Sequence, residues 1–180
     1  MARAAKTKSS DAISLLKSDH RKVEGMFERY EKSRSNALKR KLAHDICLEL
    51  AVHTTVEEEL FYPAIKFTVE QDIYEEAYVE HDGAKVLIAE ILAGTPDDDF
   101  YDAKVKVLSE MIKHHVKEEE QRGGMFAQAK DERDVDLVGL GAAMATRKKE
   151  LVAQMKSAGV STPATRSMKG ASLRRAAPVA

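Results

Sequence analysis

The sequence predicts an all-α protein, and three observations carry that prediction. Ala, Leu, Glu and Lys dominate a chain that is 33% charged and only 6% aromatic, a helix-forming composition. Four prolines and nine glycines are all that interrupt 180 residues. Apolar residues recur every third or fourth position over long stretches, and no segment alternates with period two. The length suits one domain with a single core.

Taken in order, residues 1–9 read as a flexible arm. Ser10 and Asp11 offer N-caps, and a first helix over 10–32 carries Ile13, Leu16, Val23, Phe27 and Tyr30 on one stripe. Ser33–Asn36 is a polar turn. A second helix over 37–67 carries Leu42, Ile46, Leu50, Leu60 and Ala64, with a kink expected at Pro63, which lacks an N–H and crowds the preceding turn. A third helix spans 70–93. Gly94-Thr95-Pro96 then supplies a stop, a cap and a first-turn proline, and Asp97–Asp99 favour the start of a fourth helix running to 122. Gly123-Gly124 ends it. A less regular fifth helix over 133–158 has Leu137, Leu140, Met144, Leu151 and Met155 as its apolar set. The sequence therefore divides into the arm, a bundle over 10–130, a C-terminal helical segment over 131–158 and a basic tail over 159–180. The tail's Ser, Thr, Pro, Ala and Arg content predicts disorder.

Charge is unevenly spread. Residues 1–10 carry Arg3, Lys6 and Lys8 and residues 160–180 carry Arg166, Lys169, Arg174 and Arg175, with no acid in either. Set against a net charge of −1, these seven cations leave 11–159 at −8. An acidic body argues against nucleic acid as the main partner. No apolar run approaches the length of a membrane span. A single cysteine, Cys47, cannot form an internal disulfide, which suits a reducing compartment; the sequence reads as cytoplasmic.

The informative residues are histidines. His20, His53, His81 and His115 each extend the apolar stripe of a different helix, at steps of three or four: Leu16-His20-Val23, Leu50-His53-Glu57, Tyr78-His81-Ala84 and Ile112-His115-Glu119. Glu57 and Glu119 follow His53 and His115 by four residues, which stacks imidazole and carboxylate on one helix face. Burying four imidazoles and two carboxylates without compensation costs several kcal/mol each. A cation that takes the imidazole lone pairs and neutralises the carboxylates offsets that cost. His44 and His114 lie off the stripes and read as surface. Glu24, four residues after His20, and Lys85, four after His81, are candidates for an additional contact. Glu58, Glu59, Glu118 and Glu120 read as a solvated face.

The order of these elements, H, then HxxxE, then H, then HxxxE, one per helix, resembles the hemerythrin or HHE cation-binding domain of bacterial type. The surrounding residues match as well: Asp19-His20 in LLKSDHRKVEGMF, HTTVEEELFYP with its Pro63, Glu80-His81, and HHVKEEE. The resemblance implies an up-down-up-down four-helix bundle. It also implies two non-haem iron ions, oxo- or hydroxo-bridged, with His20, His53, His81 and His115 as terminal ligands and Glu57 and Glu119 as bridges. That set leaves about two of twelve coordination positions open for a small diatomic ligand or peroxide. Oxygen-carrying relatives place a further histidine where this chain has Lys85, and an aspartate five residues after the fourth-helix histidine, where it has Glu120. These departures favour reaction over reversible carriage. The expected function is binding of, or catalase-like reaction with, oxygen, hydrogen peroxide or nitric oxide. The alternatives are a non-catalytic iron-binding or iron- and oxygen-sensing module, and a helical adaptor without metal.

The stripe assignment makes a direct prediction. His53→Ala, His81→Ala, Glu57→Ala and Glu119→Ala should each strongly reduce metal content, whereas His44→Ala and His114→Ala should leave it unchanged. Metal analysis of these purified variants and of His115→Ala checks it; loss in His114→Ala with retention in His115→Ala would shift the fourth helix by one residue.

Overall fold

The computed structural model describes residues 11–131, 134–160 and 164–168; the arm expected at 1–9 and most of the basic tail lie outside them. Helix α1 (Ala12–Lys32) begins where the Asp11 carboxylate accepts the Ser14 N–H at 2.9 Å, and buries Ile13, Leu16, His20, Val23, Phe27 and Tyr30. Helix α2 (Asn36–Val56) is capped by Ser35. It does not run on to 67 as one kinked α-helix. A π-turn (Glu57–Phe61) widens it, with the Tyr62 N–H reaching back five residues to the Glu57 carbonyl. A short α3 (Tyr62–Ile65) then takes Pro63 in its first turn, where proline needs no N–H partner.

Helix α4 (Gln71–Ala93) follows, and then α5 (Tyr101–Glu120), which starts four residues later than the aspartate run suggests. Asp98 accepts the Thr95 N–H and the chain passes through a left-handed residue, Phe100, at φ 65°, so Pro96–Phe100 form turns instead of a first helical turn. Gly123, at φ 79°, turns the chain into α6 (Met125–Asp131), an element the sequence reading did not separate. Helix α7 (Leu137–Ala158), capped by Asp136, packs on α1 and α2.

α1, α2 with its continuation, α4 and α5 form the up-down-up-down bundle. Its core consists of two apolar clusters. One gathers Leu16, Val52, Phe61, Ile65, Phe126 and Met144; the other gathers Val23, Leu50, Ala84, Ile88, Leu108 and Ile112. His20 stands between Leu16 and Val23, and His81 between Ala77 and Ala84, so a polar layer divides the two clusters. Among the described residues no helix is long and apolar enough to cross a membrane.

Residues 164–168, inside the stretch expected to be disordered, lie against α4, where Asp82 collects the backbone N–H groups of Arg166, Ser167 and Met168. Composition alone did not reveal a buried acceptor elsewhere in the chain.

Phe100 supplies a stability prediction. A β-carbon in the left-handed region costs about 1 kcal/mol, and the Phe100 ring is 78% exposed, so little packing is lost with it. Phe100→Gly should raise Tm by about 2–4 °C in a thermal melt; a fall would show that the ring, and not the backbone, sets the energy of this turn.

Candidate metal centre

The stripe residues meet in the polar layer. His20, His53, His81, His115, Glu57 and Glu119 are all buried, with Glu57 fully so. The histidines pair across helices: His20 Nε2 lies 3.3 Å from His53 Nε2, and His81 Nε2 lies 3.2 Å from His115 Nε2. The glutamates sit between the pairs. Glu57 Oε2 is 3.1 Å from His53 Nε2 and 3.3 Å from His81 Nε2. The two oxygens of Glu119 divide, Oε2 lying 3.3 Å from His20 Nε2 and Oε1 3.6 Å from His115 Nε2. Two groups within this layer therefore have donors close enough to hold a cation: His20, His53 and Glu57, and Glu57, His81 and His115; a third such group among the described residues, Glu76, Glu80 and His114, lies at the surface.

The outward face of each ring explains why the inward nitrogens are free to bind. His20 Nδ1 meets Glu120 Oε1 at 2.7 Å, His81 Nδ1 meets Glu58 Oε1 at 3.1 Å, and His115 Nδ1 meets Glu80 Oε2 at 2.7 Å. Asp19 Oδ2 stands 3.7 Å from His53 Nδ1, beyond hydrogen-bond length. For His20, His81 and His115 the carboxylate on that side holds the ring proton at Nδ1 and leaves the Nε2 lone pair facing the centre, whereas His53 Nδ1 is buried without a hydrogen-bond partner. The contacts form a closed circuit. Asp19 on α1 faces α2, Glu58 after α2 faces α4, Glu80 on α4 faces α5, and Glu120 on α5 faces α1.

The centre fits a cation by a second measure. Both oxygens of Glu57 and Oε2 of Glu119 are buried without a hydrogen-bond partner. Such orphaned acceptors are costly, and a bound cation satisfies them. In the metal-free protein the two carboxyls separate. Burial and then the Glu57 charge push Glu119 up. Burial works to raise Glu57 too, but the His53 charge and the close approach of the His53 and His81 rings hold it well below the usual carboxylate range. Burial likewise works against His53 and His115, yet Glu57 and Glu119 respectively raise them to about 10 and about 9. Burial, with the His53 charge, pushes His20 down to about 4.

Other predicted positions fall elsewhere. Glu24 is not brought to the centre; it pairs with Arg21 at the half-exposed edge. Lys85 neither snorkels to solvent nor meets an imidazole. It is buried, with Nζ 2.6 Å from Glu58 Oε1 and 3.0 Å from Asp82 Oδ1, and so reaches His81 only through Glu58. Glu58 and Glu120, read as solvated, are buried and half-buried because neighbouring helices present histidines to them. His44 and His114 are surface residues, each side chain 56% exposed. Tyr62 was missed: its hydroxyl donates to Glu119 Oε1 at 3.4 Å and lies 3.1 Å from His81 Nε2. Phe126 stacks on His20 with centroids 5.8 Å apart and closes one end of the layer.

Residues 11–124 match the model of the hemerythrin HHE cation binding domain. The chain belongs to this family. A solved structure of an HHE cation binding domain-containing protein from Mycobacterium kansasii superposes with a TM-score of 0.68 at 21% identity, over 83% of this chain and 94% of that one, so the two share a fold. A DNA nickase from Nostoc sp. (strain PCC 7120 / SAG 25.82 / UTEX 2576) is 26% identical over 106 residues, 59% of this chain; the HHE chain spans only 30% of that relative's length.

The carboxylate circuit predicts that Glu120→Gln weakens metal binding about 10–100-fold while far-UV dichroism stays the same. Competition against a chelator of known affinity measures it; unchanged affinity would show that Glu120 does not orient His20.

Proposed function

We propose that this chain is a non-haem di-iron protein of the cytoplasm that binds or reacts with oxygen, hydrogen peroxide or nitric oxide. The observation that carries the reading is the convergence of four buried imidazole nitrogens on two buried carboxylates with orphaned oxygens. His20 and His53 would hold one iron and His81 and His115 the other. Glu57 and Glu119 would span both, with an oxo or hydroxo group completing the bridge. A mixed imidazole and carboxylate set suits iron. When bound, the irons supply Lewis acidity and exchangeable electrons.

The chain's own residues select what enters. A cavity of about 10 Å³, room for roughly one water-sized molecule, adjoins all four histidines; Val23, Leu50, Ile112 and Val116 line it with Asp19, Glu49 and Thr54. A cavity on that scale suits a diatomic molecule or peroxide better than an organic substrate. Tyr62 remains a neutral phenol, because burial and then the Glu57 and Glu119 charges hold its pKa well above the usual range, so its hydroxyl can donate a hydrogen bond at the centre. A buried, free Cys47, whose thiol burial pushes up to about 12, suits a reducing compartment.

Protein purified under air from iron-replete cells should carry close to two irons per chain and absorb in the near ultraviolet. Iron-free protein with a complete fold would remove the di-iron reading. Chelation should lower Tm by many degrees, since six polar groups then share one core unneutralised; an unchanged melt after verified iron removal would count against buried ligands. Oxygen evolution from hydrogen peroxide, with Glu119→Ala as control, separates the catalase-like reading from a binding or sensing one: turnover no greater than that of free iron leaves only the latter.

A further inference from the structure

Asp82 directly follows His81 and is fully buried. Its Oδ2 accepts the backbone N–H groups of Arg166 at 2.8 Å, Ser167 at 2.6 Å and Met168 at 3.2 Å, and the Ser167 hydroxyl at 2.7 Å. Three consecutive amides turned onto one oxygen form an anion nest. The other oxygen, Oδ1, takes Lys85 at 3.0 Å, and Lys85 also donates to the Ala164 carbonyl at 3.4 Å. The Met111 methyl group occupies the space beside Gly83, within 2.7 Å of where a β-carbon would stand, and the Met168 methyl group lies at 4.0 Å, at the edge of the same contact.

Charge explains why this segment stays. Without it, two buried acids, Glu58 and Asp82, face one buried base, Lys85. Arg166 balances the set: its Nε donates to Glu58 Oε2 at 2.8 Å. Glu58 Oε1 meets His81 Nδ1 at 3.1 Å. Lys85 and Arg166 thus hold Glu58 from two sides, one on each oxygen, and fix the plane in which it meets His81. The His20/His53 end of the layer has a parallel arrangement, in which Lys148 of α7 holds Asp19, the carboxylate facing His53.

We propose that residues 164–168 are a clasp that completes the outer shell of the metal centre, with Arg166 a positioning residue that acts through Glu58 on His81. This rests on the di-metal reading of the buried layer. Release of the clasp frees one oxygen of Glu58, lets the carboxylate turn from His81, and loosens the hold on a cation at the His81/His115 end.

The test uses the full chain. Arg166→Ala removes the ion pair, and Ser167→Pro removes a nest N–H together with the hydroxyl; both positions are exposed, so neither change should unfold the bundle. Two quantities are read: the rate at which bound iron passes to excess chelator, and the ring N–H resonance of His81 in zinc-loaded protein. The clasp predicts iron loss about tenfold faster or more in both variants, a displaced His81 resonance, and near-wild-type behaviour for Arg166→Lys. Wild-type release and an unmoved resonance in both variants would overturn it. If the wild-type chain holds no metal, the di-metal reading fails separately, and the His81 resonance of the metal-free protein decides the clasp: displaced in the variants, the clasp stands; unmoved, it falls.

Discussion

Four imidazoles and two carboxylates lie between two apolar clusters, and most other features of the molecule follow from making that layer tolerable. An unsatisfied buried polar group costs several kcal/mol against a total stability of about 5–15 kcal/mol for a typical domain. The bundle meets the cost on two fronts. Outward, each ring nitrogen faces a carboxylate on the next helix, so the layer is held as a circuit running once around the bundle. Inward, the lone pairs and the orphaned oxygens of Glu57 and Glu119 are left to a cation. The elements outside the four-helix core serve the same layer. Lys148 on α7 anchors Asp19, Phe126 on α6 covers His20, and Arg166 anchors Glu58.

The circuit gives the bundle an approximate internal two-fold relation. Asp19-His20 on α1 with His53 through Glu58 on and after α2 corresponds to Glu80-His81 on α4 with His115 through Glu120 on α5. In each half, the residue before the lone histidine faces the histidine of the HxxxE segment. The residue after each stripe glutamate faces the lone histidine of the other half. The halves differ in what holds their outer carboxylates. Glu58 is held by the buried Lys85 and the clasp arginine, whereas Glu120 meets Arg21 and Lys17 at the surface. Tyr62 lies against His81 and donates to Glu119.

How much of this could be read from the sequence depended on periodicity. His20, His53, His81, His115, Glu57 and Glu119 were legible because each sits at a step of three or four from a long apolar stripe. Glu58 and Glu120 were not, because a residue beside a stripe points about 100° away from it, and only the neighbouring helix decides whether that direction is solvent or a histidine. The main helices were legible, but α6 is too short to show a period, and the left-handed Phe100 carries no turn signal such as glycine. Asp82 looked like one more charge on a charged helix. Its role depends on a partner eighty-odd residues away, and spacing within a helix carries no information on that scale.

The π-turn at Glu57–Phe61 bears on how this chain can change length. It adds one residue to an otherwise continuous helical segment, so the residues before and after it obey different angular registers about one axis. His53 and Glu57 are set by the register upstream; Tyr62, stacked on His81 with centroids 5.3 Å apart, and Ile65 in the lower core are set by the one downstream. A residue added or deleted in the flanking α-helical turns, where no wide turn absorbs it, would rotate one part against the other by about 100°. Metal donors and lower core could then no longer both face inward. The flanking turns thus tolerate substitution at their exposed positions but not a change in residue count, which makes their length, more than their composition, the invariant of this stretch.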